Sequence, residues 1–267
     1  MKQLKLMVLT LTLLMGTMFT SCMDSGESGP QQWAGVVKVN DRMGYVTFTD
    51  AAGTELIPTN TIPVTLNARM AYIYCQVDEG QDLSTNPKSI KITLLADPTG
   101  IDATAITTPK VGESGDVTTN APVGSLSFAS GYSTVASFQF SENTIVLPVL
   151  YRVKNVTTTE DIKNELAKHT FTLVCYTDDI KSGDTILKLY LRYKVEDEPA
   201  AIAERATRTS SFKAYEISQI LREYTLKSGQ AKPAKITIVA QQNEYNNKLE
   251  DTSTIGKVYE IEYKTAE

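Results

Sequence analysis

Cys22 carries the plainest chemistry in the sequence. It follows Phe19-Thr20-Ser21 and an apolar run, residues 6–19, which is itself preceded by Lys2 and Lys5. A basic start, a short apolar core and small residues before a cysteine are the features of a bacterial lipoprotein signal. On this reading residues 1–21 are the signal peptide, and Cys22 is the first residue of the mature chain, its thiol joined to lipid. The run is shorter than the roughly 20 apolar residues a spanning helix needs, and no later segment approaches that length. The membrane is therefore expected as a partner through lipid, without insertion of the fold.

The remaining reactive side chains are thinly spread. His169 is the single histidine, which excludes a multi-histidine metal site, and it names no partner that would make it a general base. Its place after a helical pattern suits the favourable interaction of a histidine with a helix C-terminus. Asp178, Asp179 and Asp184 share one loop, but their spacing lacks the regular ligand positions of a calcium loop, and Asp and Gly are ordinary turn formers. Glu160 and Asp161 stand at a helix start, where acids are expected anyway. Cys75 alternates with Ile73 and Val77, and Cys175 with Phe171 and Leu173, so each reads as a small apolar residue of a separate core. A disulfide between them is open to an exported protein, yet spacing alone does not establish one. No P-loop, dinucleotide fingerprint, Gly-x-Ser-x-Gly or HExxH is present. No catalytic residue, metal or cofactor is expected.

Aromatic residues offer a binding surface instead. Tyr72 and Tyr74 lie opposite Ile73 and Cys75 on one strand, and with Trp33 they form a candidate stacking patch for sugar or peptide, the alternative being plain barrel packing. The formal charge is −5, and residues 33–97 hold five Lys or Arg against seven Asp or Glu. An acidic surface repels phosphate backbones, so nucleic acid is excluded as a partner and protein or glycan remains.

The elements that must position these residues are strands. Residues 22–32 are polar, with Gly and Ser, and read as a flexible tether. Residues 33–97 hold five short strands (33–39, 45–49, 55–57, 69–77 and 89–95) separated by turn residues, which suggests a small barrel. Residues 98–125 carry turn chemistry without a sustained period and read as a linker. Residues 126–267 return to longer strands. In the clearest, Leu187, Leu189, Leu191, Tyr193 and Val195 alternate with Lys188, Tyr190, Arg192 and Lys194, the pattern of a half-buried antiparallel strand. Two short helices are expected, one over 159–168 and one carrying Ile217, Ile220, Leu221 and Tyr224 as a single stripe. The expected fold class is all-β: a small barrel, then an antiparallel β-sandwich with one or two short helices.

This layout resembles the NigD-like lipoproteins of Bacteroides-type bacteria. The resemblance rests on the signal and acidic tether, on Gly44-Tyr45-Val46-Thr47-Phe48-Thr49-Asp50-Ala51-Ala52-Gly53, on His169-Thr170-Phe171-Thr172-Leu173-Val174-Cys175-Tyr176, on Gly183-Asp184-Thr185-Ile186-Leu187-Lys188-Leu189-Tyr190, and on Tyr215-Glu216-Ile217-Ser218. Tyr193 stands where the family leads one to expect histidine. The resemblance implies that the barrel is OB-like and precedes the β-sandwich, and it carries no catalytic residue across. Asp24 and Glu27, close behind Cys22, resemble the acidic signals that send such lipoproteins to the outer membrane and its surface. The expected role is non-enzymatic binding or an accessory function at the cell envelope. The alternatives are a glycan-active hydrolase using paired carboxylates, which leaves no short motif, and a bacteriocin-associated role suggested by the family name.

Overall fold

The computed structural model describes residues 31–42, 45–60, 66–83, 87–113, 115–130 and 133–264. Cys22, the signal segment and all of the tether before residue 31 lie outside the described residues. The chain divides into two compact units, residues 1–103 with 129–135, and residues 104–128 with 136–267.

The first unit is a closed five-stranded barrel. Its strands are β1 (Gln32–Arg42), β2 (Tyr45–Thr49), β3 (Glu55–Pro58), β4 (Met70–Val77) and β5 (Ser89–Leu94). They follow one another round the barrel as β1-β2-β3-β5-β4, and β4 pairs again with β1 to close the ring. The β3–β5 pair is parallel and the others are antiparallel. A five-stranded closed sheet in this order is OB-like. β1 closes the ring because it is long: residues 32–38 pair with β4 and residues 38–42 with β2. The inward set is the one that alternation selects, with Trp33, Val37, Phe48, Leu56, Ile73, Cys75, Ile90 and Ile92 in one core. Gly35 is required there, because a Cβ on it would lie 2.6 Å from the Trp33 ring.

The segment expected as a linker is folded. β6 (Thr99–Ile101) pairs with β4, β7 (Ala103–Ala105) joins a sheet of the second unit, and Ile106, Ala121 and Val123 are buried in that unit's core. These pieces are too short to show a period, so turn residues dominate the sequence signal.

Two four-stranded sheets make the second unit a sandwich. Ranges in chain order are β8 (Ser127–Ser130), β9 (Ser133–Ala136), β10 (Phe138–Ser141), β11 (Thr144–Val153), β12 (His169–Val174), β13 (Ile186–Val195), β14 (Thr207–Glu216), β15 (Lys235–Gln242) and β16 (Ile255–Glu262). One sheet is β10-β11-β14-β7, the other β12-β13-β15-β16, and β8 with β9, whose residues 129–135 fall in the first unit, forms a separate two-stranded sheet. Leu147, Val149 and Tyr151 of β11 share a core with Phe171, Leu173, Leu187, Leu189, Leu191, Tyr193, Ile236 and Ile238. The β10–β11, β11–β14, β12–β13 and β15–β16 pairs are antiparallel, whereas β13 and β15 run parallel, because the chain between them crosses to the other sheet as β14.

Three helices lie among the described residues, one more than expected. α1 (Thr159–Ala167) is capped by Thr158, whose hydroxyl accepts from the Asp161 amide. α2 (Pro199–Ala203) is the addition, a single turn begun by proline. α3 (Ser218–Ser228) buries Ile220 and Tyr224 beside Ile217 and ends on Gly229, whose φ of 74° is left-handed. No helix among the described residues is long and apolar enough to cross a membrane.

Candidate functional site

The outer face of β13 holds a cluster of polar and aromatic side chains. Alternation buries Leu187, Leu189 and Leu191, and so presents Lys188, Tyr190 and Arg192 on the opposite face. Tyr176, at the end of β12, packs edge-on to Tyr190 with ring centroids 5.2 Å apart. The Arg192 guanidinium stands 5.2 Å from the Tyr190 ring centre and 5.7 Å from that of Tyr176, and it donates to the Tyr176 hydroxyl at 2.8 Å. That hydroxyl donates in turn to Asp116, also at 2.8 Å. The Gly112 amide and the Tyr176 hydroxyl bonded to Asp116 hold its carboxyl below the usual carboxylate range. Arg192 and Tyr176 are thus fixed, while Lys188 is exposed, with its ammonium 5.1 Å from the Tyr190 ring centre.

Beside this cluster lies a groove of about 480 Å³ lined by Tyr176, Tyr190, Lys188, Asp179, Asp184 and Thr185 among others. The loop that forms one wall is the β12–β13 connection, a 3-10 turn over Thr177–Asp179 followed by a tight turn in which Asp184 accepts from the Lys181 amide. Gly183 supplies the positive φ of 88° which that turn needs. Aromatic surface, two carboxylates, a hydroxyl and an ammonium therefore face one concave space.

His169 belongs to a different arrangement. It is buried as the first residue of β12, with Nε2 3.3 Å from Glu165 and Nδ1 2.6 Å from the Tyr193 hydroxyl. Burial pushes the imidazole below its ordinary value, against the pull of Glu165. Burial would raise the Glu165 carboxyl, but the Lys154 amide, Arg205 and His169 outweigh it and hold the group below the usual range. A neutral ring beside a carboxylate carries its proton on Nε2, so Nδ1 accepts from Tyr193. Arg205, fully buried, grips Glu165 with Nε at 2.7 Å and a terminal nitrogen at 3.2 Å, and reaches Asp197 at 3.1 Å. This network ties α1, β12, β13 and the end of α2 together. All its members except Asp197 are buried, so its geometry is that of a clamp.

The other residues singled out in the sequence fall in separate places. Trp33 is in the barrel core at 5% exposure, so it does not share a surface with the tyrosines: the Trp33-Gly35-Val37 alternation turns it inward. Tyr74 remains at the surface and donates to Gln32, and Tyr72 is half-buried on the same face of β4. Cys75 and Cys175 are free, in the barrel core and the sandwich core respectively, and burial pushes each thiol up to about 12. Asp178 pairs with Lys227 at 2.9 Å, and no cluster of three or more potential metal ligands occurs among the described residues. The Tyr190 groove escaped notice in the sequence because the non-periodic β12–β13 loop folds Tyr176, Asp179 and Asp184 beside Tyr190, although the Lys188-Tyr190-Arg192 alternation already marked the outward face.

An OB-like barrel followed by a β-sandwich defines the class: a two-unit all-β protein. No protein-family model and no curated protein matches the chain. Among solved structures, a candidate lipoprotein from Bacteroides fragilis NCTC 9343 is 95% identical over 89% of this chain and 100% of its own, with a TM-score of 0.82. A protein of unknown function, DUF1344, from Bacteroides vulgatus ATCC 8482 shares the fold at 10% identity, covering 88% of this chain and 92% of its own with a TM-score of 0.55. A NigD-like immunity protein from Bacteroides caccae ATCC 43185 is also matched, at 9% identity, 88% and 93% coverage and a TM-score of 0.48. The chain belongs to the family of the Bacteroides fragilis protein.

Proposed function

We propose that the chain is a lipid-anchored, non-enzymatic glycan-binding protein of the outer membrane, and that the Tyr190 groove is its binding surface. One observation carries the reading: Tyr176, Tyr190, Lys188, Asp179, Asp184 and Thr185 line a single concave space of about 480 Å³. Sugar rings offer C–H faces to aromatic side chains and pairs of hydroxyls to carboxylates and ammonium groups, and the groove presents each of these together. Arg192, braced between the two tyrosines, keeps the platform in place before any ligand arrives, which lowers the ordering cost of binding. Anchorage is supported by Cys22 and its preceding signal, and the outer membrane by Asp24 and Glu27.

Two carboxylates, Asp179 and Asp184, line the same groove, and that is the observation a hydrolase reading would use. One experiment separates the readings. Mature protein is screened on an oligosaccharide array, and each bound saccharide is incubated with the protein and analysed for new reducing ends. Retention without cleavage, lost in Tyr190→Ala, is the expected result. Cleavage would replace binding by hydrolysis. A protein ligand captured through the same groove, with no saccharide retained, would overturn the choice of glycan.

A further inference from the structure

We propose a second site, for a tetrahedral dianion such as phosphate or sulfate, on the outer face of the β11–β14 pair at Arg152 and Arg208. Arg152 and Arg208 are direct cross-strand partners in antiparallel register. Arg152 follows the core residue Tyr151, so it points to the opposite face of the sheet. Both guanidiniums converge on one atom: each donates to the Glu244 carbonyl oxygen, Arg152 at 2.9 Å and Arg208 at 2.7 Å. Arg152 also donates to the Ala206 carbonyl at 2.8 Å.

Among the described residues no carboxylate forms an ion pair with either guanidinium; the acceptors are backbone carbonyls alone. The Glu244 carboxylate is turned to Gln242 instead. Like charges directly opposite across a strand pair are destabilising, and a guanidinium taken out of water without a counter-charge is more so. Arg152 is only 9% exposed, and burial and then the Arg208 charge both pull its pKa down. Two positive charges are therefore held together at a cost that an anion would relieve. Charge decides the class: two guanidiniums match a dianion, and their planar forks match the oxygens of phosphate or sulfate. Arg208 is exposed, so a ligand reaches the pair from solvent. Nothing in this site depends on the Tyr190 groove, which lies on the other sheet of the sandwich.

The test uses mature full-length protein. Its melting temperature is followed against sodium phosphate, and separately sodium sulfate, at ionic strength held constant with sodium chloride. Three chains are compared: the natural one, Arg208→Gln, and Lys163→Gln, which removes one positive charge from exposed helix surface. General salting effects act on all three alike, so the differences report the site. The natural chain and Lys163→Gln should show the same saturable rise, and Arg208→Gln should need at least about tenfold more anion. Circular dichroism checks that Arg208→Gln is folded, and Arg208→Lys, which keeps charge but loses the fork, should fall between. Equal responses in the natural chain and Arg208→Gln would overturn the site, as would a response that chloride reproduces.

Discussion

Replacing Glu165 by leucine and Arg205 by methionine, singly and together, tests the buried network through its energetics. Glu165→Leu leaves the fully buried Arg205 with the Ala201 carbonyl at 2.9 Å and the partly exposed Asp197 at 3.1 Å, and without its buried counter-charge. Arg205→Met leaves the Glu165 carboxylate with only the Lys154 amide at 2.9 Å and His169 at 3.3 Å. Each single change strands a buried charge, which costs about 3–5 kcal/mol. The double variant strands neither. Its remaining losses are the Lys154 amide and His169 Nε2, each without the acceptor it had, and such orphaned donors cost about 1–3 kcal/mol apiece. The two single costs should therefore exceed the double cost by about 4 kcal/mol. The assay is urea unfolding followed by circular dichroism and tyrosine emission. Trp33, the single tryptophan, sits in the barrel core and reports on the barrel unit separately. Additivity within about 0.5 kcal/mol would refute the clamp, because uncoupled residues add to that tolerance.

Acid should loosen the sandwich through His169. Its folded pKa lies below the ordinary value of about 6.5, so the unfolded chain takes up the proton first and stability falls as pH drops through and below that value. The melting temperature of the sandwich should decline from pH 7.5 to pH 5, and His169→Gln should flatten that decline; an unchanged slope would contradict the assignment. Gly35→Ala should destabilise the barrel by about 1–3 kcal/mol, since the new methyl meets the Trp33 ring at 2.6 Å, and Trp33 emission should shift to the red. An unshifted emission with full stability would show that the ring moves aside freely. Cys75 and Cys175, with thiols pushed up to about 12 by burial, should resist a disulfide reagent at pH 8 until denaturant is added. Rapid labelling of the folded chain would contradict their burial.

Much of the fold was legible because its strands alternate. The five barrel strands and the β13 pattern from Leu187 to Val195 declare their inner faces residue by residue, and the Ile217-Ile220-Tyr224 stripe declares α3. Trp33 misled for a physical reason: an aromatic near a strand start has the same composition whether it faces in or out, and only the register against Cys75 places it inside. The parallel β13–β15 pair was hidden because an alternating strand looks alike in either orientation. β6, β7 and α2 span three to five residues each, too few for a period. The groove was legible only in part. Tyr190 and Lys188 were outward by alternation, but Tyr176, Asp179 and Asp184 join them through the fold of the β12–β13 loop, and Asp116 reaches Tyr176 from 60 positions away. Glu165 and Arg205 meet over 40 positions, which no local pattern announces.

Oligosaccharide binding by the mature protein and by Tyr190→Ala, measured side by side by calorimetry on a saccharide selected from the array, tests the central claim most directly. The account predicts uncleaved saccharide bound by the natural chain and binding weakened about tenfold in the variant, as loss of a stacking platform of about 1.5 kcal/mol requires. Equal affinity in the two chains would contradict it.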